Sequence, residues 1–387
     1  MKTVLLTAPC HFGTEAVLKR EIYDLGYDIT EVENGRVTFS GDAEAIALAN
    51  IRLRTAERIL LRVGVFEATT FSDFFDCVAD LPWEDYIPRD GKFWVTKASS
   101  VKSALFSTSD LQSLCKKATA KRLGAVYGID WLPETGASYP VRLFLMNDRV
   151  EVFLDTTGTS LHKRVYRKLE GSAPISETLA AALILLTPWH GDRILVDPFC
   201  GSGTIPIEAA MMAAHMAPGL RRSFTAETWT NFIDPAVWTD ARAEAEGEID
   251  LSVATDIQGY DIDDGAVKIA RENAAAAGVD GLIHFQRRAV KDLRHPKKYG
   301  FVITNPPYGE RLEEGGEGTP LPDLYREIGD AYKGLDDWSM YLITSLPDAE
   351  KYIGRKADKN RKIYNGMLKT YYYQFLGARP PKRKRAS

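Results

Sequence analysis

Little in this chain invites a covalent or metal-held framework. Its four cysteines, Cys10, Cys77, Cys115 and Cys200, include no Cys-x-x-Cys pair, so neither a disulfide scaffold nor a zinc site is expected. Histidine is scarce too, with six residues. Cys10-His11 is the only close Cys/His pair, and neighbours on a strand point to opposite faces. No metal site is expected. A surplus of positive charge is also missing: 49 Lys and Arg against 53 Asp and Glu leave a net charge of −4. Binding of a polyanion must therefore come from local basic patches. No run reaches the ~18 apolar residues that span a bilayer. The apolar run in residues 1–8 is too short for a signal peptide, lacks a small-x-small cleavage site and is soon followed by Glu15, Lys19, Arg20 and Glu21. It reads as a first β-strand, and the chain is expected to be cytoplasmic, away from membranes. There is no Gly-Lys-Ser/Thr, which argues against a phosphate-loop nucleotidase.

What is present is apolar material in ordered blocks. Hydrophobic residues make up 45% and charged residues 26%, the balance of a protein with a sizeable core. The length suggests two or three domains. A strand at 3–8 is followed by a helix that Gly26 closes. Two strands joined at Asn34-Gly35, a hairpin signal, come next, then a helix at 42–53 and a strand at 59–66. This β-α-β-β-α-β order predicts a ferredoxin-like subdomain over 1–66. Residues 67–160 continue with helix 71–81, strand 93–98, a basic helix 109–123 carrying Lys116, Lys117, Lys121 and Arg122, and two strands joined by Asn147-Asp148. A basic linker, 161–175, holds Lys163, Arg164 and Arg167. A basic tail at 379–387 is expected to be disordered and to touch phosphates.

From 176 to 378, strands and helices alternate. Strands are predicted at 193–196, 258–261, 282–286, 301–304 and 340–344, with helices at 176–185, 205–214, 266–277 and 323–333. A terminal hairpin turns at Asn365-Gly366. Alternation predicts a doubly wound, mostly parallel α/β sheet of the Rossmann-like kind, here with an antiparallel terminal hairpin. Ligands bind at the carboxyl ends of such strands, and Asp197, Asp261, Asp292 and Asn305 all stand just past predicted strands. The 218–248 insert, with Trp229, Phe232 and Trp238, is expected either to line the substrate side or to pack.

Two motifs carry the chemistry. Asp197-Pro198-Phe199-Cys200-Gly201-Ser202-Gly203-Thr204 is a strand-to-helix turn. Gly201 and Gly203 allow a tight bend and close backbone approach to a ligand, at a helix N-terminus whose N–H groups favour a carboxylate. Asn305-Pro306-Pro307-Tyr308 follows the apolar strand 301–304. Its Asn305 side-chain oxygen and Pro306 carbonyl can grip the two N–H groups of an exocyclic base amine, whose lone pair is otherwise delocalised. The prolines stiffen the turn, and Tyr308 can stack on a flipped base. Alignment and well-placed acceptors supply the gain without a strong general base.

This pair of motifs resembles the signature of amino-group methyltransferases that use S-adenosylmethionine. The helix, strand, basic helix and hairpin ahead of it, with the segment Thr156-Thr157-Gly158 through Arg167, resemble a THUMP RNA-binding domain and its linker. Essentially the whole chain is similar to the THUMP-containing class I RNA methyltransferases. It looks closest to the bacterial group of large-subunit ribosomal RNA guanine-N2 methyltransferases, often labelled N6-adenine-specific DNA methylases. The resemblance implies a class I methyltransferase domain over 176–378 and an RNA partner, ribosomal or transfer RNA. It implies N2-methylguanosine in 23S ribosomal RNA as product, in a monomer or homodimer.

The implied cofactor-binding residues are Asp197, Phe199, Gly201, Gly203, Thr204, Asp261, Ile262 and Asp292. Asp197 would take the ammonium, Asp261 the ribose hydroxyls, Ile262 the adenine face and Asp292 the adenine amino group. The implied catalytic residues are Asn305, Pro306, Pro307 and Tyr308. Glu208 faces the ligand loop or the helix surface, and Asp263 suits a helix N-cap. A nicotinamide dehydrogenase is disfavoured because Pro206 stands where Gly-x-Gly-x-x-Gly needs its last glycine. DNA adenine methylation and a non-catalytic RNA-binding assembly factor are the competing readings.

Overall fold

The computed structural model describes residues 3–167, 175–308, 320–366 and 368–381. The chain divides into two units. The first comprises Met1–Cys10, Leu18–Leu161 and Gly219–Glu244; the second comprises His11–Val17, His162–Pro218 and Ala245–Ser387.

The first unit is built on β1 (Val4–Pro9), α1 (Glu15–Asp24), β2 (Ile29–Glu33), β3 (Arg36–Gly41), α2 (Ala43–Arg52), β4 (Leu60–Glu67), α3 (Phe71–Ala79), β5 (Lys92–Val101), α4 (Thr108–Tyr127), β6 (Ser138–Met146) and β7 (Arg149–Asp155). Local chemistry sets several junctions. Gly35 sits at φ +78° between β2 and β3, and Asn147 and Asp148, at φ +50° and +64°, make the β6–β7 turn; a two-residue hairpin asks for such left-handed positions. The strands form one seven-stranded sheet in the order β2-β3-β1-β4-β7-β6-β5. Only β5–β6 is parallel. β2-β3-β1-β4 has the ferredoxin-like order predicted, and β4 then pairs directly with β7. The first two segments of the chain therefore share a single sheet.

The second unit contains α5 (Glu177–Leu185), β8 (Leu195–Asp197) and α6 (Thr204–Ala213). After α7 (Pro235–Gly247) it continues through β9 (Ile257–Asp261), α8 (Asp264–Ala277), β10 (Ile283–Arg287), β11 (Phe301–Thr304), α9 (Leu321–Lys333), β12 (Ser339–Thr344), α10 (Ala349–Ile353), β13 (Lys359–Asn365) and β14 (Leu368–Phe375). Its sheet runs β10-β9-β8-β11-β12-β14-β13, parallel except where β14 lies antiparallel between β12 and β13. Both faces are covered, one by a core that includes α5, α6 and α8, the other by a core that includes α9. This is the doubly wound sheet with an antiparallel terminal hairpin that the alternation predicted. β8 is shorter than expected.

Between Gly219 and Glu244 the chain belongs to the first unit. Trp229 stacks on Tyr139 with ring centres 5.0 Å apart, and its Nε1 donates to the Ser138 carbonyl at 2.8 Å. Asn231 accepts from the Tyr139 hydroxyl and donates to the Tyr86 carbonyl. Phe232 meets Tyr86 edge-on, and Trp238 stacks on Phe224. Of the two roles open to these aromatics, packing is the one observed.

Trp229 is 1% exposed, so Trp229→Ala opens a large cavity. We expect a loss of about 3–5 kcal/mol, read as a lowered midpoint of denaturant unfolding.

Candidate active site

β8, β9 and β11 are neighbours in the second sheet, with β8 in the middle. Their carboxyl ends carry the first motif, Asp261 and Asn305. Asp197 closes β8 and is 2% exposed. Its Oδ1 accepts from the Thr304 hydroxyl at 2.6 Å and from the Phe199 N–H at 3.1 Å. The first contact ties β8 to β11, directly before Asn305. Burial pushes the Asp197 carboxyl up to about 7, against those two hydrogen bonds, and nearby Asp261 adds to the rise.

The glycine turn is held from two sides. The Cys200 N–H donates to the Tyr260 carbonyl at 2.8 Å, and the Gly201 N–H donates to Asp261 Oδ2 at 2.9 Å. The Asn273 side chain, from α8, donates to the Ser202 carbonyl at 3.1 Å. Gly201 and Gly203 have φ +52° and +84°. A Cβ on Gly203 would press on Ala270 and Phe285, whereas a Cβ on Gly201 would meet nothing within 4 Å. The open side of the turn is thus at Gly201. Its own N–H is committed to Asp261, so the N–H groups left for a ligand carboxylate are those of the α6 N-terminus beyond it. Asp261 also accepts from the Asp263 N–H, and burial raises its pKa. Asp263 caps α8 as predicted.

Neither Asp197 nor Asp261 has a cationic partner among the described residues. Two inward carboxylates without a counterion suit a ligand that brings its own positive charge. Ile262 is 68% exposed beside them, an apolar surface left open, and Phe199 packs against the core with Val196 and Tyr260. Asp292 is exposed on a short turn, Val290–Asp292, after β10, and among the described residues its carboxylate bonds to none of the others. Arg287, the last residue of β10, donates to the Ile262 carbonyl at 3.0 Å and braces that loop. Thr304 was missed in the sequence, although it is the one polar residue closing an apolar strand.

Asn305 Oδ1 is buried and has no hydrogen-bond donor among the described residues. An unmet buried acceptor is uncommon, and this one sits one residue beyond the Thr304–Asp197 contact. Pro307 accepts from the Tyr325 hydroxyl at 3.4 Å. Tyr308 is 4% exposed, with Asn365 Nδ2 3.4 Å from its hydroxyl. Its ring is packed inward and not displayed as the stacking platform expected of it.

The basic residues divide. Lys116, Lys117, Lys121 and Lys163 are exposed, although Lys116 pairs with Glu134 at 3.3 Å. Arg122 is held by both Glu84 oxygens. Arg164 and Arg167 correct the expectation of an RNA-facing linker. Arg164 is 4% exposed and pairs with fully buried Glu208 at 3.3 Å, which also accepts from the Tyr166 hydroxyl. Arg167 donates to the Ile175 carbonyl and to Thr204 Oγ1 and lies 3.2 Å from Glu177. Glu208 is fully buried and is the counter-charge of Arg164, not a surface residue of the helix. Thr204, the first residue of α6, is held by Arg167. The linker at 168–174 and the tail beyond Pro381 lie outside the described residues. Glu31, Glu33 and Glu151 stand within ligating distance of one another, but Arg36, Arg62 and Arg149 pair with them.

Residues 164–374 match a family model described as RMKL-like, methyltransferase domain. Residues 5–60 match the RlmL ferredoxin-like domain and 68–155 the THUMP domain. YpsC of Bacillus subtilis (strain 168), an RNA methyltransferase by provisional assignment, is 46% identical over all of this chain and 99% of its own. The ribosomal RNA large subunit methyltransferase K/L of Cellvibrio japonicus (strain Ueda107) is 33% identical over 95% of this chain. The chain spans about half the length of that larger relative, 50%. SMU.472, a provisionally assigned methyltransferase crystallised with S-adenosylhomocysteine, is 42% identical, covers 98% of this chain and 100% of its own, and superposes with a TM-score of 0.91.

Arg164→Ala would strand Glu208 in the core, and we expect a loss of about 3–5 kcal/mol. Arg164→Met combined with Glu208→Leu should recover most of it. Urea unfolding of the two variants provides the comparison.

Proposed function

We propose a guanine-N2 specificity for this chain, which belongs to the RMKL-like family of S-adenosylmethionine-dependent RNA methyltransferases. The substrate is large-subunit (23S) ribosomal RNA and the product N2-methylguanosine. The unmet buried acceptor on Asn305 is the observation that carries the reading, since an exocyclic amine offers the donor it lacks.

The cofactor, when bound, supplies an electrophilic methyl group on a sulfonium. Asp197 holds the ammonium of its amino-acid end. The turn from Phe199 through Gly201 and Gly203 to Thr204 forms the cradle, and Asp261 keeps lone pairs for the ribose hydroxyls beyond its two backbone N–H bonds. Ile262 covers the adenine, and Asp292 accepts from its amino group. On the substrate side, Asn305 Oδ1 and the Pro306 carbonyl accept the two N–H groups of the base amine. That fixes the nitrogen and directs its lone pair, and the same oxygens stabilise positive charge as it grows on nitrogen. Pro306 and Pro307 hold the acceptors still, and Tyr308 braces the turn from within. Lys116, Lys117, Lys121 and Lys163 contact RNA phosphates, with Arg122 contributing only if it exchanges Glu84 for phosphate.

Asn305→Ala should lower methyl transfer about a hundredfold or more while calorimetry shows unchanged cofactor affinity; equal loss of both would place Asn305 in cofactor binding instead. Nucleoside mass spectrometry on RNA from a strain lacking the gene should show loss of one N2-methylguanosine from 23S ribosomal RNA. Loss of a transfer-RNA mark, or of N6-methyladenine, would reassign the substrate, and no loss at all would favour a non-catalytic assembly factor.

The Asp197 carboxyl, raised to about 7 in the free protein, must ionise to hold an ammonium. Cofactor affinity should therefore be flat above about pH 7 and fall as pH drops through that value, approaching tenfold per unit. Titration calorimetry across pH 5.5–8.5 should find this slope in the native chain and lose it in Asp197→Asn.

A further inference from the structure

The terminal hairpin reaches the reaction edge of the sheet and carries a side-chain cluster that the proposed chemistry leaves unused. β14 runs antiparallel beside β12, with Tyr371 opposite Thr344, the last residue of β12. Residues 364–366 and 368–370 accordingly continue past β12 on the carboxyl side, where Asn305 stands. Asn365 Nδ2 lies 3.4 Å from the Tyr308 hydroxyl, so the hairpin touches the candidate catalytic turn.

Register pairs Lys362 with Tyr371 and Tyr364 with Lys369. Directly opposed residues share a face, so two lysines and two tyrosines alternate at the corners of a square. The Lys362 ammonium is 4.9 Å from the centre of the Tyr364 ring, and that of Lys369 is 5.0 Å from Tyr371. Phe12 extends the aromatic surface. Its ring meets Tyr364 edge-on at 5.5 Å, and its carbonyl accepts from the Tyr364 N–H at 3.4 Å. Both lysines are exposed and both tyrosines half-buried. Among the described residues no carboxylate pairs with Lys359, Lys362 or Lys369. The stretch 359–370 contains Lys359, Arg361, Lys362 and Lys369 and no acidic residue, in a chain of net charge −4. Cations interleaved with anchored aromatic rings suit a single-stranded nucleic acid: the ammonium groups take phosphates and the rings take base faces.

We propose that the Lys362–Tyr364–Lys369–Tyr371 square is an RNA subsite that holds the unpaired nucleotides flanking the methylated base. It rests on the reading of Asn305 as the methylation site. Enzymes that work on a base act on single-stranded substrate or take the base out of the stack; a target in an unpaired stretch has unpaired neighbours, and the contact between Asn365 and Tyr308 sets the square beside the catalytic turn.

The test uses the full chain with Lys362→Ala/Lys369→Ala together and, separately, Tyr364→Ala. Methyl transfer is followed on protein-free large-subunit ribosomal RNA, and binding on a labelled single-stranded oligonucleotide and on a duplex of the same length. Each variant should raise the KM for RNA by about tenfold, with the loss falling on KM more than on kcat. The double lysine variant should reduce the slope of log affinity against log salt on the single strand by about 1.4. Calorimetric affinity for S-adenosylmethionine should stay at the wild-type value, which certifies the fold. Unchanged KM and salt slope in variants that keep this affinity would overturn the proposal, as would an equal loss on the duplex. Should the native chain methylate no RNA, the catalytic reading fails, and the salt slope on the oligonucleotide still decides the subsite.

Discussion

A carboxylate sealed at the junction of two parallel strands, with no counterion among the described residues, is the constraint on which the second unit turns. Desolvation makes Asp197 reluctant to ionise, and only the Thr304 hydroxyl and the Phe199 N–H moderate that. Both donors are parts of the site. Thr304 is the residue before Asn305, and Phe199 begins the glycine turn. The hydrogen bonds that make the carboxylate tolerable therefore also set the distance between the two motifs. A protein seeking stability alone would place an apolar residue there; retaining an acid makes sense where a cation is to arrive.

Asn305 obeys the same logic with the sign reversed. An acceptor left unmet inside a protein costs on the order of 1–3 kcal/mol, and the surrounding turn of two prolines cannot relax to satisfy it. The site thus has two standing demands, a positive charge at Asp197 and a hydrogen-bond donor at Asn305. Methyl transfer from a sulfonium to an amine brings both. Around this centre the supports are ordinary: an asparagine from α8 holding the glycine turn, an arginine from β10 bracing the Ile262 loop, and the Arg164–Glu208 pair beneath α6.

How much of this could be read from the sequence follows from the range of each interaction. Turn chemistry is local, so Asn34-Gly35, Asn147-Asp148 and Asn365-Gly366 marked their hairpins, and Asp263 marked its helix start. Apolar strand runs ending in Asp197, Asp261 and Asn305 marked the edge where those residues collect. The charges of Arg164 and Arg167 were visible, but their direction was not, because a basic run reads the same whether it faces solvent or a buried glutamate dozens of residues away. Glu208 was ambiguous for the same reason. The 219–244 segment could not be assigned to its unit, since its anchors, Tyr86, Tyr139 and Ser138, lie far upstream. Nor could composition reveal that β4 joins β7, a pairing between strands separated by two helices. Asp292 shows the opposite limit, where position after a strand was legible but not that the residue would lie exposed on a turn.

The excursion of the chain into the first unit and back has a consequence for biogenesis. A ribosome emits residues from the N-terminus onward, and domains tend to fold as they emerge. Here the amino-terminal sheet lacks the tryptophan that covers Tyr139 until synthesis has passed α6 and the glycine turn. Maturation of the leading module is therefore delayed until part of the trailing one has been made, so neither is finished by a simple cut between them.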